Sequence, residues 1–181
     1  MKADNSLDKL VFELEAVCDE NLSHYSEYEK AFETDLKQYQ SRIYPSENAE
    51  VLRWYHIKTD EKYIGAIWLE KNANDDFAVL GVFIADELYR NTGIGKSAIE
   101  QIIKTDLQYM HTNKILLRVR EENERAIRCY KSVGFKENRR FRKNDLNVNV
   151  MILVLRILIF NSVLLNFHAI NNISLTLKKQ R

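Results

Sequence analysis

Proline, glycine and cysteine are scarce in this chain of 181 residues, which contains one, five and two of them respectively. Two cysteines, Cys18 and Cys129, are too few for a disulfide framework or for a cysteine-rich zinc site. The four histidines are far apart and form no closely spaced pair that could share a metal ion. The sequence therefore predicts neither a disulfide-rich protein nor a metal enzyme.

The chain also lacks a large excess of positive or negative charge. Lys and Arg number 27 against 26 Asp and Glu, which leaves a formal net charge of +1. A general nucleic-acid binder normally has a strong basic excess, so we expect no nucleic-acid partner. The N-terminus begins Met1-Lys2-Ala3-Asp4 and lacks the apolar core of a signal peptide, which indicates a cytoplasmic protein.

The composition that is present is typical of one globular domain. Apolar residues make up 45% of the chain and charged residues 29%, and the length fits a single domain of roughly 100–200 residues. Charge is unevenly distributed, because residues 1–50 carry a net charge of −7 and residues 114–143 a net charge of +7. The two regions could pack together, the acidic one could face a cationic substrate, or both could be solvated surfaces.

Two helices are predicted before the proline, within residues 5–43. A first stripe of apolar residues at helical spacing consists of Leu7, Leu10, Val11, Leu14, Val17 and Cys18. A second stripe, which stops before Pro45, consists of Tyr28, Phe32, Leu36, Tyr39 and Ile43. Aromatic stripes of this kind usually pack into a core.

Strands dominate after the proline. Apolar residues at helical spacing predict a helix that includes Ile99–Met110 and a shorter one from Asn123 to Ser132. Runs rich in β-branched and aromatic residues predict strands at Val51–Ile57, Lys62–Glu70, Phe77–Ala85, Lys114–Val119, Phe135–Arg142 and Val148–Leu155. The third run is almost wholly apolar, as in a central strand. The order predicts an α/β domain with a largely antiparallel sheet and at least one β-α-β crossover.

A glycine-containing turn joins the central strand to the following helix. The first N–H groups of a helix have no partner within the helix, and the helix dipole is positive there, so this turn suits a phosphate. Gly95-Lys96-Ser97 matches the end of a P-loop, but Arg90 stands where that motif needs glycine. Gly93-x-Gly95-x-x-Ala98 fits the dinucleotide fingerprint, although residues 86–92 separate it from its strand.

A third motif, R/Q-x-x-G-x-G/A, is satisfied in full by Arg90, Gly93 and Gly95. The next strand is followed by Asn123-x-x-Ala126-Ile127-x-x-Tyr130-x-x-x-Gly134-Phe135. Together these motifs resemble the GNAT superfamily of acyl-CoA-dependent N-acetyltransferases, over residues 51–155 and most specifically over residues 83–135. The resemblance implies a mixed, mostly antiparallel twisted sheet flanked by helices, with a β-α-β acetyl-CoA site.

The resemblance also implies roles for individual residues. The diphosphate of coenzyme A would be held by backbone N–H groups of the turn, while the strand before it would pair with the pantetheine arm through main-chain atoms. Asn123 would contact the cofactor, and a simple N-cap role is compatible with that. The turn residues are Arg90, Asn91, Thr92, Gly93, Ile94, Gly95 and Lys96, and the strand residues are Phe83, Ile84 and Ala85.

The implied chemistry is transfer of an acetyl group from acetyl-CoA to a primary amine by direct attack. A tyrosine has a reference pKa near 10 and is protonated at pH 7, so Tyr130 is the candidate that protonates or hydrogen-bonds the departing sulfur. The positions that often hold a glutamate base in this family hold none here, and Glu70, Asp75, Asp76 and Glu121 stay open as alternatives. Cys129 lacks a paired histidine and is interpreted as a structural thiol.

Two further functions stay open. One is a non-catalytic acyl-CoA-binding module that has lost its base, and the other is a nucleotide-binding oxidoreductase. We assign residues 1–157 to the domain and residues 158–181 to an atypical extension, which could form a homodimer or have no function. Polar residues interrupt the apolar stretch 148–170, so we expect no membrane span.

Overall fold

The computed structural model describes residues 11–39, 42–59, 62–143 and 145–155. They form four α-helices, three short 3₁₀ turns and seven strands. The helices are α1 (Tyr25–Ala31), α2 (Glu33–Tyr39), α3 (Ile94–Asp106) and α4 (Glu124–Val133). The strands are β1 (Glu13–Ala16), β2 (Val51–Lys58), β3 (Tyr63–Lys71), β4 (Ala78–Ile84), β5 (Lys114–Arg120), β6 (Lys136–Lys143) and β7 (Leu146–Val154).

The strands form a single sheet in the order β1-β2-β3-β4-β5-β7-β6. Neighbouring strands are antiparallel except β4 and β5, which run parallel and are connected through α3. The predicted mixed, mostly antiparallel sheet with a β-α-β crossover is therefore confirmed. The apolar strand β4 lies in the middle of the sheet, as its composition predicts.

The pairing between β4 and β5 is short. Only Ala78 with Ile115 and Val79 with Leu116 are paired, whereas β4 pairs with β3 at six positions up to Ile84. The two central strands therefore diverge after Val79. Their unpaired edges face a gap in the sheet, where main-chain groups of β4 are open to a ligand.

The two faces of the sheet are covered by different helices. Leu80 of β4 belongs to the larger core, which includes Ile94, Ile99 and Ile102 of α3. Phe83 packs instead into an aromatic cluster with residues of α1 and α2. Because successive side chains of a strand point to opposite faces, α3 and α4 cover one face and α1 and α2 the other.

The prediction of a first helix is wrong for residues 11–18, because the strand β1 lies there. Leu14 pairs with Ile57 and Ala16 with Tyr55 of β2. The carboxylate of Glu15 accepts hydrogen bonds from Asn21, Lys58 and Tyr63. These long-range partners override the helical spacing of the apolar residues, since a short helix without tertiary contacts is only marginally stable and the open edge of β2 offers main-chain hydrogen bonds to a strand. Leu7 and Leu10 lie outside the described residues.

The second predicted helix is real but broken into α1 and α2. The break is at Phe32, whose φ of −115° and ψ of 14° depart from helical values. Ile43 is buried in the aromatic cluster but follows the helices. The break rotates α2 relative to α1 and brings its side chains to the gap between β4 and β5.

Within the described residues, no helix is long and apolar enough to span a membrane. Among the described residues, no group of three or more His, Cys, Asp or Glu side chains is placed to hold a metal ion. The extension 158–181 lies outside the described residues, and its boundary, the homodimer and the cytoplasmic location stay predictions.

Candidate active site

A crevice of about 730 Å³ opens where β4 and β5 diverge. One end, which we call the turn end, consists of Gly93, Gly95 and Lys96 together with Arg125 and Arg128 of α4. The other end, which we call the α2 end, consists of Phe32, Asp35, Phe83 and Arg120. Tyr130, Cys129 and Asn123 line the crevice as well.

The backbone of the turn has the shape that an anion requires. Gly93 caps α3 with a left-handed φ of 91°, and Asn91 also has a positive φ of 67°. Glycine and asparagine are the residues that adopt this conformation most readily. Ser97 N–H donates to Gly93 O at 3.0 Å, so helix geometry leaves the N–H groups of Ile94, Gly95 and Lys96 without a partner in α3.

The space above the turn is open. A Cβ atom built on Gly93 or on Gly95 would meet no heavy atom within 4 Å. The unpartnered N–H groups therefore border a volume that a diphosphate can enter. Binding of the diphosphate by Gly93, Ile94, Gly95 and Lys96 stays a prediction. The Thr92 hydroxyl donates to Tyr89 O at 2.7 Å and stabilises the turn itself.

Arg90 has a different role from the one predicted for it. Its backbone N–H donates to Glu87 O at 3.1 Å, so that group is already used inside the turn. Its guanidinium donates to Ile84 O and Ala85 O, both at 3.0 Å, and to the Glu87 carboxylate at 2.7 Å. Arg90 therefore holds the turn against the end of β4.

The structure also changes the prediction for the strand residues Phe83, Ile84 and Ala85. Ala85 N–H donates to Ile64 O of β3 at 2.8 Å. Hydrogen-bonding direction alternates along an antiparallel strand, so the main-chain groups of Phe83 and Ala85 face β3. Those of Val82 and Ile84 face the gap. Sequence reasoning named Ile84 but missed Val82, because the choice depends on the register with β3.

Two arginines of α4 were also missed. Arg125 and Arg128 line the turn end and lie three residues apart, hence on one side of the helix. Arg128 forms an ion pair with Glu124 at 3.2 Å, and Lys96 forms a longer one with Glu100 at 3.7 Å. These cations surround the N-terminus of α3 and increase its positive potential. Helical spacing relative to Tyr130 could have indicated them.

Asn123 begins α4. Its Oδ1 accepts the N–H of Ala126 at 3.1 Å, so the predicted N-cap role is confirmed. At the other end, Gly134 caps the helix with a φ of 111°, and Phe135 N–H donates to Tyr130 O at 3.0 Å. Both ends of the helix that carries Tyr130 are thereby defined.

The phenol of Tyr130 is protonated and available. Burial raises the pKa of Tyr130 above its usual value, with a further increase from Cys129 and a small decrease from Arg125. Its ring packs edge-on against Phe135 with centroids 6.1 Å apart. None of the hydrogen bonds found among the described residues uses its hydroxyl group, so the O–H can donate to a ligand in the crevice.

The thiol of Cys129 is a poor nucleophile. Burial raises its pKa, which lowers the fraction of the reactive thiolate. No histidine lines the crevice within the part of the chain that the structure describes. The described residues that line the crevice therefore contain no Cys–His pair.

The four carboxylates considered as the base lie away from the crevice. Glu70 is bound by Arg42 and by Ser46 N–H, and Asp76 pairs with Lys114. Asp75 accepts from Asn72, and Glu121 pairs with Arg140.

The carboxylates that line the crevice are instead Asp35 and Glu122. Asp35 lies on α2 and pairs with Arg120 at the end of β5, with 3.2 Å between Oδ2 and Nη2. Sequence reasoning could not find this pair, because its members are 85 residues apart.

Several solved structures share this architecture. A spermidine N-acetyltransferase from Vibrio cholerae, solved with CoA and spermine, is 18% identical with a TM-score of 0.62, over 79% of this chain and 95% of that one. An aminoglycoside acetyltransferase solved with coenzyme A is 16% identical with a TM-score of 0.63, over 80% and 95%. A domain from Methanocaldococcus jannaschii is 19% identical with a TM-score of 0.61, over 80% and 99%. At these identities the likeness shows the fold alone.

No curated protein is significantly similar to the chain in sequence. The profile of the acetyltransferase (GNAT) family matches residues 14–135, which is more than half of the chain. The match includes the turn, α3 and α4 and therefore the residues that build the crevice. The protein belongs to the GNAT acetyltransferase family.

Proposed function

We propose that the protein transfers an acetyl group from acetyl-CoA to a primary amine by direct attack, without a covalent enzyme intermediate. The observation that carries the proposal is the crevice itself. It joins an open helix N-terminus, which suits a diphosphate, to the protonated phenol of Tyr130, which suits a leaving thiolate. No other described cavity combines these two features.

The cofactor would be bound mainly by main-chain atoms. Its diphosphate would accept hydrogen bonds from the N–H groups of Ile94, Gly95 and Lys96, each worth roughly 1.5–3 kcal/mol to a charged oxygen. Arg125 and Arg128 would add electrostatic attraction. The amides of the pantetheine arm would pair with the open edge of β4 at Val82 and at the N–H of Ile84, whose carbonyl group is bound by Arg90. Asn123 would offer its amide N–H₂ to the cofactor from the start of α4.

The amine must be neutral to attack the thioester carbon. A lysine-like amine has a pKa near 10.4, so forming the free base at pH 7 costs roughly 4.6 kcal/mol. As the N–C bond forms and the C–S bond breaks, negative charge develops on the sulfur and the nitrogen loses a proton to solvent. A thiol has a pKa near 8.5, well below that of a buried phenol. The Tyr130 hydroxyl would therefore stabilise the thiolate by hydrogen bonding rather than by complete proton transfer.

Two measurements test the proposal. Calorimetry should detect binding of CoA and acetyl-CoA but not of NAD or ATP, and free thiol should appear when acetyl-CoA is mixed with amines. No heat with CoA thioesters would contradict the proposal, and binding of NAD instead would favour an oxidoreductase.

The alternative is a non-catalytic acyl-CoA-binding module. It is favoured by one observation, namely that Glu70, Asp75, Asp76 and Glu121 all lie away from the crevice, while Asp35, which lines it, is already paired with Arg120. The same assays separate the two functions. Binding of acetyl-CoA without thiol release over a broad amine panel would identify the module.

A further inference from the structure

The α2 end of the crevice lies on the face of the sheet opposite to Tyr130. Along β5, Ile115, Leu117 and Val119 are buried in the core beneath α3 and α4. Strand alternation therefore directs Arg120 to the other face, where it meets Asp35 of α2. A cofactor seated on α3 and α4 would leave this end to the acceptor.

The two charges at the α2 end are matched and close together. Two nitrogens of the Arg120 guanidinium approach the two carboxylate oxygens of Asp35, at 3.5 and 3.2 Å. Both side chains are about 30% exposed and both line the crevice. A ligand that enters the crevice can therefore reach each of them.

The wall beside this pair is aromatic. Phe32 lies one helical turn before Asp35, so the two side chains share a side of the chain. The rings of Phe32 and Phe83 contact each other edge-on with centroids 5.3 Å apart, and both line the crevice. The α2 end thus offers the ion pair of Asp35 and Arg120 beside an apolar surface, and the guanidinium of Arg90 lies over the Phe32 ring at 5.9 Å.

This arrangement discriminates among amines by charge. An acceptor with several positive charges would meet a carboxylate that Arg120 already neutralises, and it would also be repelled by Arg120. A zwitterion can be inserted into the pair without changing the net charge, because its ammonium replaces the guanidinium beside Asp35 and its carboxylate replaces the Asp35 carboxylate beside Arg120. The guanidinium is well suited to binding a carboxylate through two hydrogen bonds.

We propose that the acceptor is a free α-amino acid with an apolar side chain, bound between Asp35 and Arg120 against Phe32 and Phe83. The inference rests on the proposed acetyl transfer and specifies its substrate class. The α-ammonium would lose one proton to solvent, and the neutral amine would form the N–C bond with the acetyl carbon as the C–S bond breaks. Coenzyme A would leave as the thiolate, hydrogen-bonded by Tyr130, while the nitrogen loses its second proton to solvent. The product would be the N-acetyl amino acid.

The test compares two acceptors that differ in one group. L-Phenylalanine and phenethylamine share the amine and the ring, but the second lacks the carboxylate. With the wild-type protein and acetyl-CoA, we expect kcat/KM to be at least about tenfold higher for phenylalanine, because its carboxylate can replace that of Asp35 beside Arg120, whereas phenethylamine offers the guanidinium no carboxylate. This comparison does not depend on any variant folding correctly.

Variants then test whether Arg120 is responsible for the preference for phenylalanine. Arg120→Gln should raise KM for phenylalanine about tenfold or more. It should not raise KM for phenethylamine, because the variant leaves the Asp35 carboxylate to bind an ammonium group. Arg118→Gln is the matched control, since Arg118 lies on the same strand and face, is exposed and does not line the crevice. Affinity for acetyl-CoA, measured by calorimetry, should be the same in all three proteins.

The outcomes separate the two proposals. Equal or better turnover of phenethylamine, or a preference for spermidine over every amino acid tested, would overturn the zwitterion site while acetyl transfer stands. An Arg120→Gln protein with unchanged KM for phenylalanine would overturn it too. Binding of acetyl-CoA without turnover of any acceptor would overturn both and leave the binding module.

Discussion

The turn end of the crevice is built by one continuous stretch of chain, whereas the α2 end is assembled from residues far apart in the sequence. Gly93–Lys96 opens α3, and its N–H groups are exposed because any helix leaves its first amides unpaired. Asp35 and Arg120 meet across 85 residues, and only the pairing of the sheet and the break after α1 bring them together. A cofactor site can thus depend on local backbone geometry, while an acceptor site depends on tertiary packing.

The largest expected effect tests the turn end alone. Gly95→Glu should lower affinity for CoA at least about 100-fold, because a carboxylate beside the N-terminus of α3 would take the place of the diphosphate. The fold should be retained, since the substituted Cβ meets no atom within 4 Å and acidic residues stabilise the first turn of a helix. Calorimetry with CoA and thermal unfolding measure the two quantities.

Gly95→Gln is the control of the same size. Most of the affinity should return in this variant, because the side chain is neutral and the open space can accommodate it. Equal loss in both variants would mean that bulk rather than charge is responsible, and unchanged affinity in both would place the diphosphate elsewhere.

The second-largest effect is expected for Tyr130, at the junction between the turn end and the α2 end of the crevice. Tyr130→Phe should lower kcat by roughly 10- to 100-fold, which corresponds to one hydrogen bond to a charged group. Cofactor affinity should change little, since the ring still packs on Phe135. Tyr109→Phe, at an exposed tyrosine outside the crevice, should have wild-type kinetics. Steady-state thiol release gives both parameters, and an unchanged kcat would refute the role of the phenol.

A smaller effect tests how the turn is held. Arg90→Met should weaken CoA binding about tenfold and lower the free energy of unfolding by about 2 kcal/mol, because two carbonyl groups lose a charged donor. Arg118→Met, at an exposed arginine, should change neither quantity. If Arg90→Met reduced stability without affecting CoA affinity, the clamp would support the strand but not the turn.

The smallest effect concerns β1, beside the α1 and α2 face. Hydrogen bonds from Tyr63, Lys58 and Asn21 lower the pKa of Glu15 to about 2. The unfolded carboxyl group has a pKa near 4.3 and binds protons first, so the stabilisation is complete above that value and is lost as pH falls from about 5 to about 2. Because the group is partly exposed, the contribution should be below about 1 kcal/mol.

Glu15→Gln should therefore flatten the loss of stability between pH 5 and pH 2. Glu13→Gln is the matched control on the same strand, since Glu13 is more exposed and is 3.5 Å from Lys58. Chemical unfolding at several pH values measures both slopes. Equal slopes in the wild type and the Glu15 variant would contradict the anchoring role of Glu15.

The fold was largely predictable from Val51 onward. Strong strand composition and the glycine turn placed six strands, α3 and α4 within a few residues of their observed bounds. The N-terminal region was not predictable in the same way. Residues 11–18 contain apolar side chains at helical spacing, yet the free edge of β2 draws Leu14 and its neighbours into a strand. The spacing of apolar residues within one segment gives no information about an unpaired strand edge that another segment forms.

The site shows the same limit at the level of single residues. The turn glycines, Asn123 and Tyr130 were found because their motif is local and has fixed spacing. Arg90 was found too, but its side chain turned out to hold the strand end, since the carbonyl groups of Ile84 and Ala85 lie beside it. Val82, Arg125, Arg128 and Asp35 were missed, because strand register and helix packing decide which of them line the gap.

The sequence by itself determined the helix start at Gly93, the conformations that only glycine and asparagine adopt easily, and the capping of α4. Each of these depends on a few consecutive residues and on backbone sterics that act wherever the segment occurs. The tertiary structure alone decided that β4 and β5 diverge, which main-chain groups line their gap, and that an aspartate and an arginine meet there. Those features arise from interactions between distant segments, whose free energy becomes favourable only when the whole sheet has formed.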